Sequence, residues 1–302
     1  MASKVNSKFV LFLVLSIGVA AMIIGGLLVL NMRGNAQRSF RLAAEAEQAG
    51  DMKRARDYYG RAVHKEPGNL EYLACLERVI LQLEPKTANE ATDMYREWVG
   101  VLNHAARHDS QNVNAQLRLI NELFNAARRS NGQWELLGKA AEDMWNRLPE
   151  SEPQRKIARV MLAMSKFRRS TLCTLEEITE SVQEMQTIAP AMGDNDLAWS
   201  TLVHGEMVLL EKLREQGRTG SIIDEQNAKI DETVKKAVAA VPNGPETARM
   251  NLLNTIVRNV ENPKDNPNET VQAAADRLMA LIPENVEPGF LGEAADLMLA
   301  VR

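Results

Sequence analysis

Cysteine is almost missing from this sequence: Cys75 and Cys173 are the only two in 302 residues. They stand 98 positions apart on segments that read as helical, so no disulfide framework organises the chain. Each reads instead as a small buried apolar residue. Aromatic residues make up only 5%. No run of alternating apolar and polar residues bounded by turn residues occurs, which excludes half-buried strands. A basic excess is missing too. The net charge is −4, and Lys4 and Lys8 are the only charges in the first 32 residues. The remaining surface is mildly acidic and repels nucleic acid, so no nucleic-acid partner is expected.

The motifs of catalysis are also lacking. There is no G-x-S-x-G elbow, no P-loop and no G-x-G-x-x-G following a strand. Gly217-Arg218-Thr219-Gly220-Ser221 is glycine-rich but lacks the Lys-Ser/Thr pair of a phosphate cradle, and reads as a loop. His104 and His108 are four apart, yet Ala105 and Ala106 stand where a zinc protease needs its glutamate, and no third ligand is recognisable. They read as surface histidines near a helix end. Arg128-Arg129 and Arg168-Arg169 read as solvated basic faces, one period apart. No catalytic residue, cofactor or metal ligand is assigned, and no enzyme activity is expected.

One long hydrophobic run is present. Phe9 to Leu30 holds 22 residues without a charge. A helix of that length spans the roughly 30 Å hydrocarbon core of a bilayer. A cleaved secretory signal is the alternative, but its apolar region usually runs about 7–15 residues, and the small-residue site at Val19-Ala20-Ala21 sits mid-stretch. An uncleaved single-pass signal anchor is the preferred reading, after a basic tail over 1–8. Lys4 and Lys8 on one side nearly balance Arg33, Arg38 and Arg41 on the other, so orientation is weakly encoded. The reading leans toward a bacterial inner membrane with the large domain exported. Ala21-x-x-x-Gly25 would allow two such helices to approach, which makes a homo-oligomer compatible with the sequence.

Beyond the anchor, alanine, leucine, glutamate, glutamine and methionine favour helix. Leu73, Leu76, Ile80 and Leu83 step by three and four residues. So do Val113, Leu117, Ile120, Phe124 and Ala127; Leu175, Ile178, Val182, Met185 and Ile188; and Ile230, Val234, Ala237 and Val241. Each set lines one helix face. Breakers fall at 66–69, 108–112, 148–153, 190–196, 241–246 and 282–288. Thr174-Leu175-Glu176-Glu177 has the form of a capping box, and Pro153 and Pro245 suit a first helical turn. Pro67, Asp109, Pro149 and Pro190 are spaced by 42, 40 and 41 residues, and Pro242 and Pro283 again by 41. The interval of 52 between Pro190 and Pro242 places its excess in the glycine-rich 217–221 segment. A period near 40 that holds two helices predicts stacked helical hairpins, each burying its face on its neighbours.

Residues 36–69 resemble a tetratricopeptide repeat. Counting from Ala36, Leu42 and Ala43 fall at the large and small positions of the first helix. Ala55, Tyr59 and Ala62 fall at the small, aromatic and small positions of the second, Gly50-Asp51 makes the turn, and Pro67 closes the unit. Ala91 with Tyr95, and Ala141 with Trp145 and Leu148, keep fragments of the pattern, so 70–302 reads as further degenerate hairpins. The fold expected is all-α: a transmembrane helix over 9–30, then a tetratricopeptide-like α-solenoid. The resemblance implies a protein-interaction scaffold whose concave face receives a partner peptide or helix. In the first repeat the groove-facing positions are Gln37, Phe40, Ala44 and Glu47. No lysine or asparagine stands there, so a carboxylate clamp is not supported. Only six residues separate Leu30 from Gln37, which places the array close to the bilayer. Two further readings stay open. One is a structural subunit of a cell-envelope secretion or assembly complex. The other is the anchor and scaffold of a longer chain with a catalytic domain elsewhere, since FLGEAADLMLAVR ends mid-pattern.

Overall fold

The computed structural model describes residues 22, 35–109, 112–129, 133–261, 267–282 and 288–301. The expected membrane span over 9–30 falls outside them except for Met22. Among the described residues, no helix is long and apolar enough to cross a membrane. All described elements are helices, and no strand occurs among the described residues. The chain divides into two compact units, residues 1–115 and 116–302.

The first unit contains α1 (35–48), α2 (Met52–Lys65), α3 (Leu70–Gln82) and α4 (Ala88–His108). Its local sequence explains each boundary. Gly50 adopts a positive φ of 77°, a turn conformation that costs glycine little. Asp51 then caps α2 by accepting from the Arg54 backbone N–H at 3.1 Å. Asn69 and Thr87 cap α3 and α4 in the same way. Ala43, Ala55 and Ala62 are fully buried and lie in one core with Tyr59, Leu73, Leu76 and Val79. Leu42 is half-buried and Pro67 exposed, just beyond the end of α2.

The second unit holds nearly all of α5 (Val113–Arg129), then α6 (Trp134–Arg147), α7 (Gln154–Arg168), a 3-10 turn (Ser170–Leu172), α8 (Leu175–Ala191) and α9 (Asp196–Glu215). After these come α10 (Ser221–Ala240), α11 (Pro245–Glu261), α12 (Pro267–Leu281) and α13 (Pro288–Val301). The capping box is formed as its sequence predicts: Thr174 Oγ1 accepts from the Glu177 N–H, and Glu177 Oε2 accepts from the Thr174 N–H at 2.7 Å. From α6 to α13, helices adjacent in sequence pack together, and helices two apart also touch: α7 with α9, α9 with α11, α11 with α13. These four odd-numbered helices therefore form one continuous layer, with even-numbered helices packed against it, which is the arrangement of stacked hairpins.

Three readings of the sequence need correction. The long 190–242 interval is longer because of helix, not loop: α9 and α10 hold 20 residues each, joined only by 216–220. Cys173 lies in the turn before α8 rather than on a helix; it and Cys75 are free and half-buried. On α5 Ile120 and Ala127 of the predicted stripe are buried, but the buried face is rotated from the rest of it, with Gln116, Leu119 and Leu123 inward and Val113, Leu117 and Phe124 half-buried.

Close approach of α7 and α9 depends on Gly205. A Cβ added there would lie 2.4 Å from two ring carbons of Phe167, itself packed in the core. Alanine would gain about 1 kcal/mol in helix propensity. Overpacking against a confined aromatic ring outweighs it, so Gly205→Ala is expected to lose about 2 kcal/mol net in chemical denaturation. Phe167→Leu in the same chain should recover part of that loss. A Gly205→Ala protein more stable than the parent would contradict this packing.

Candidate functional site

Two places bring functional side chains together, one in each unit. In the first, Gln37, Phe40 and Ala44 line an open cleft along α1 together with Arg38 and Arg41. Gln37 is exposed and Ala44 half-buried. Phe40 stacks on Tyr72 at 4.7 Å and meets Tyr59 edge-on at 5.4 Å, so one of its faces belongs to the core. Glu47 has a structural engagement. Tyr59 Oη donates to it at 2.7 Å, and Arg78 of α3 grips both its oxygens at 3.0 and 2.9 Å. The Arg78 hydrogen bonds hold the Glu47 carboxyl below its ordinary range, outweighing burial. His104 and His108 stack at 6.3 Å on α4, and the His108 ring lies against Gly68.

In the second unit, ends of the odd-numbered helices converge. Arg128 lies in the last turn of α5 and Arg168 is the last residue of α7, where cations oppose the helix dipole favourably. Glu246 occupies the first turn of α11, the favourable end for an anion. Arg128 Nη1 binds Glu246 Oε1, while its Nη2 binds Glu293 Oε2 of α13 at 2.9 Å. Arg168 Nη2 donates to Glu293 Oε1 at 2.6 Å. Arg249 bridges both carboxylates, reaching Glu246 at 3.2 Å and Glu293 at 3.3 Å. Arg128 also lies between two rings, 5.4 Å from Phe124 and 5.3 Å from Phe290. Residues 118 and 165 positions apart thus meet at one point. The reading of Arg128 and Arg168 as solvated faces is therefore corrected.

No family model and no curated protein matches the sequence. Among solved structures the chain is similar to PilW, described as a widely conserved type IV pilus biogenesis factor. The TM-score is 0.42 at 12% sequence identity, over 87% of this chain and 98% of that chain. A likeness of that degree carries no argument about function.

The charges in the cluster do not balance: three guanidinium groups face two carboxylates. Burial works against the charge on Arg128, but Glu246 and Glu293 outweigh it and strengthen its hold on the proton. Burial likewise pushes Glu293 up, yet Arg249, Arg168 and Arg128 together bring it below the ordinary carboxylate range. Arg168 is the exception. Burial weakens its hold on the proton beyond what Glu293 restores, and Arg249 and Arg128 repel it. Its Nε is buried with no hydrogen-bond partner. Asp196 at the start of α9 caps α11, accepting from the Glu246 and Thr247 N–H groups at 2.8 Å each. Sequence patterns carried no sign of this cluster, since its members belong to four separate helices. Among the described residues, no three metal-ligating side chains gather into a metal site.

His204 on α9 reports on this environment. Dense packing, then Arg168 and Arg249, drive its imidazole well below the ordinary value, so it is neutral in the folded protein at pH 7. The unfolded chain takes up a proton near pH 6.5 that the folded chain refuses. Stability therefore falls as pH drops through that range and levels only below the folded value. From pH 7 to 5.5 the expected loss from this residue is about 1 kcal/mol. His204→Leu should flatten the stability–pH curve over that window, measured by urea unfolding. Parallel curves for the two proteins would reject the assignment.

Proposed function

We propose that this chain is a protein-interaction scaffold built on a tetratricopeptide-like array, anchored to a membrane through residues 9–30 and without catalysis of its own. The observation that supports it best is the layered packing of alternate helices in the 116–302 unit, where α7, α9, α11 and α13 touch in succession. A layer of that kind presents rigid helix faces to an extended or helical partner. The cleft beside Gln37, Phe40 and Ala44 is a second contact place in this reading. The charge balance makes the partners proteins rather than nucleic acid. Anchoring with the helical units exported from a bacterial inner membrane completes the proposal, with self-association through Ala21 and Gly25 compatible with it.

Affinity capture from detergent-solubilised membranes tests this reading, comparing the full chain with one lacking residues 1–32. The expected result is a specific set of co-purifying proteins whose recovery with the membrane fraction depends on residues 1–32. Recovery of the full chain without detergent would remove the anchor. Capture only in a fixed-stoichiometry envelope complex would make the chain a structural subunit of an assembly machine instead.

A further inference from the structure

Helices α8 and α10 both pack on α9, and a cavity of about 260 Å³ is lined by all three. Trp199, Leu202 and Glu206 step by three and four residues along α9, so one face of that helix lines it. The third position on this face is a carboxylate with no exposed surface. Its two oxygens are unequally served. Oε1 accepts from Gln186 Nε2 of α8 at 3.2 Å, while Oε2 is buried and receives no hydrogen bond. A buried carboxylate oxygen without a donor is costly, and native folds seldom leave one without a reason. Burial pushes the Glu206 carboxyl above its ordinary range, beyond what Thr233, Gln186, Lys229 and Lys236 restore.

The chain's own cations do not serve this oxygen. Lys236 closes an ion pair with Glu232, one turn away on α10, at 2.6 Å, and both are exposed. Lys229 lines the same cavity, is exposed, and makes no ion pair among the described residues. With Lys236 and Glu232 neutralising each other, the cavity keeps one unpaired anion at depth and one unpaired cation on an exposed residue. Pro190, Trp199 and Leu202 give it an apolar wall, and the indole is fixed by its Nε1 donating to the Gly193 carbonyl at 2.8 Å. A metal ion would find a single unpaired carboxylate here, and a simple amine would meet Lys229 as well as Glu206. A ligand that carries both charges on a short carbon frame satisfies both residues.

We propose that this cavity binds a small amino acid, its ammonium group donating to Glu206 Oε2 and its carboxylate accepting from Lys229, with its carbon frame against Trp199 and Leu202. An ammonium has three N–H donors, and Thr233 and Gln186 bring further acceptor oxygens to the same cavity. The volume is below the roughly 300–1,000 Å³ of pockets for drug-sized ligands, which keeps the ligand small. The site is independent of the scaffold reading, so losing either leaves the other standing.

The test titrates the full chain in detergent with four five-carbon probes and follows the Trp199 indole N–H resonance, assigned by its loss in Trp199→Phe. L-norvaline and 5-aminopentanoate are isomers carrying both charges; 1-aminopentane and pentanoate each carry one. The better of the two amino acids should bind about tenfold more tightly than either single-charge probe. Glu206→Gln should weaken it about thirtyfold. Lys229→Met should weaken it about fivefold and erase its advantage over 1-aminopentane. Lys229 is exposed, so that variant leaves the core untouched and decides the matter even if Glu206→Gln fails to fold. An indole resonance that neither amino acid moves overturns the proposal. So does a single-charge probe that binds as tightly as both amino acids, or an advantage over 1-aminopentane that survives Lys229→Met.

Discussion

Arg128→Ala is expected to lower the stability of the 116–302 unit by about 3 kcal/mol, whereas Arg168→Ala is expected to cost only about 1 kcal/mol. Both residues are arginines at helix C-termini and both bind Glu293. They differ in what their removal leaves behind. The Arg128 side chain is 7% exposed and the Arg168 side chain 26%. Removing Arg128 strips Glu246 and Glu293 of charge-assisted bonds and opens the space between Phe124 and Phe290. Buried ion pairs broken on one side are costly because the surviving charge stays out of water. Removing Arg168 brings the cluster to two cations and two carboxylates, and it deletes the one cation whose charge the surroundings disfavour. Urea unfolding of each variant checks the ordering, and hydrogen exchange should place the loss in α5, α11 and α13. Equal losses would mean that the excess cation is an ordinary structural partner.

That contrast marks where sequence reading stopped. Hairpin boundaries were legible because glycine, proline, asparagine and aspartate act locally: each predicted breaker from 66–69 to 282–288 falls between an even-numbered helix and the odd-numbered helix after it. The Thr174–Glu177 capping box was legible for the same reason. So were the stripes on α8 and α10, where Ile178, Val182 and Met185, and Ile230, Val234 and Ala237, are all buried. The rotated face of α5 was not, because Gln116 is buried on it and a polar residue breaks the apolar pattern. Arg128 and Arg168 looked solvated because nothing near them in sequence is acidic enough to hold them. Their partners lie at least 118 positions away. Gly205 carries no local signal, since the ring that requires it belongs to another helix. The position of Phe40 in the repeat points to a groove, but Tyr72 of α3 covers one of its faces.

In the first unit the largest effect should come from Tyr59. Its ring is 1% exposed, lies edge-on to Phe40 and joins the alanines of α1 and α2 in one core. Truncation to alanine removes an aromatic ring from close-packed surroundings whose backbones are already held close by Ala43, Ala55 and Ala62, so little collapse can fill the void. Tyr59→Ala should therefore cost about 4 kcal/mol. Tyr59→Phe separates ring from hydroxyl. It deletes only the 2.7 Å bond to Glu47, whose carboxylate keeps both Arg78 contacts, so the loss should be about 1 kcal/mol. Denaturant unfolding of the three proteins measures both steps, and exchange protection should fall in α1–α3. If phenylalanine proved as costly as alanine, the hydrogen bond and not the ring would be the feature that joins α1 to α2. Phe40 would then lose less from its own truncation than its stacking on Tyr59 and Tyr72 implies, and the cleft beside Gln37 and Ala44 could open without disturbing the core.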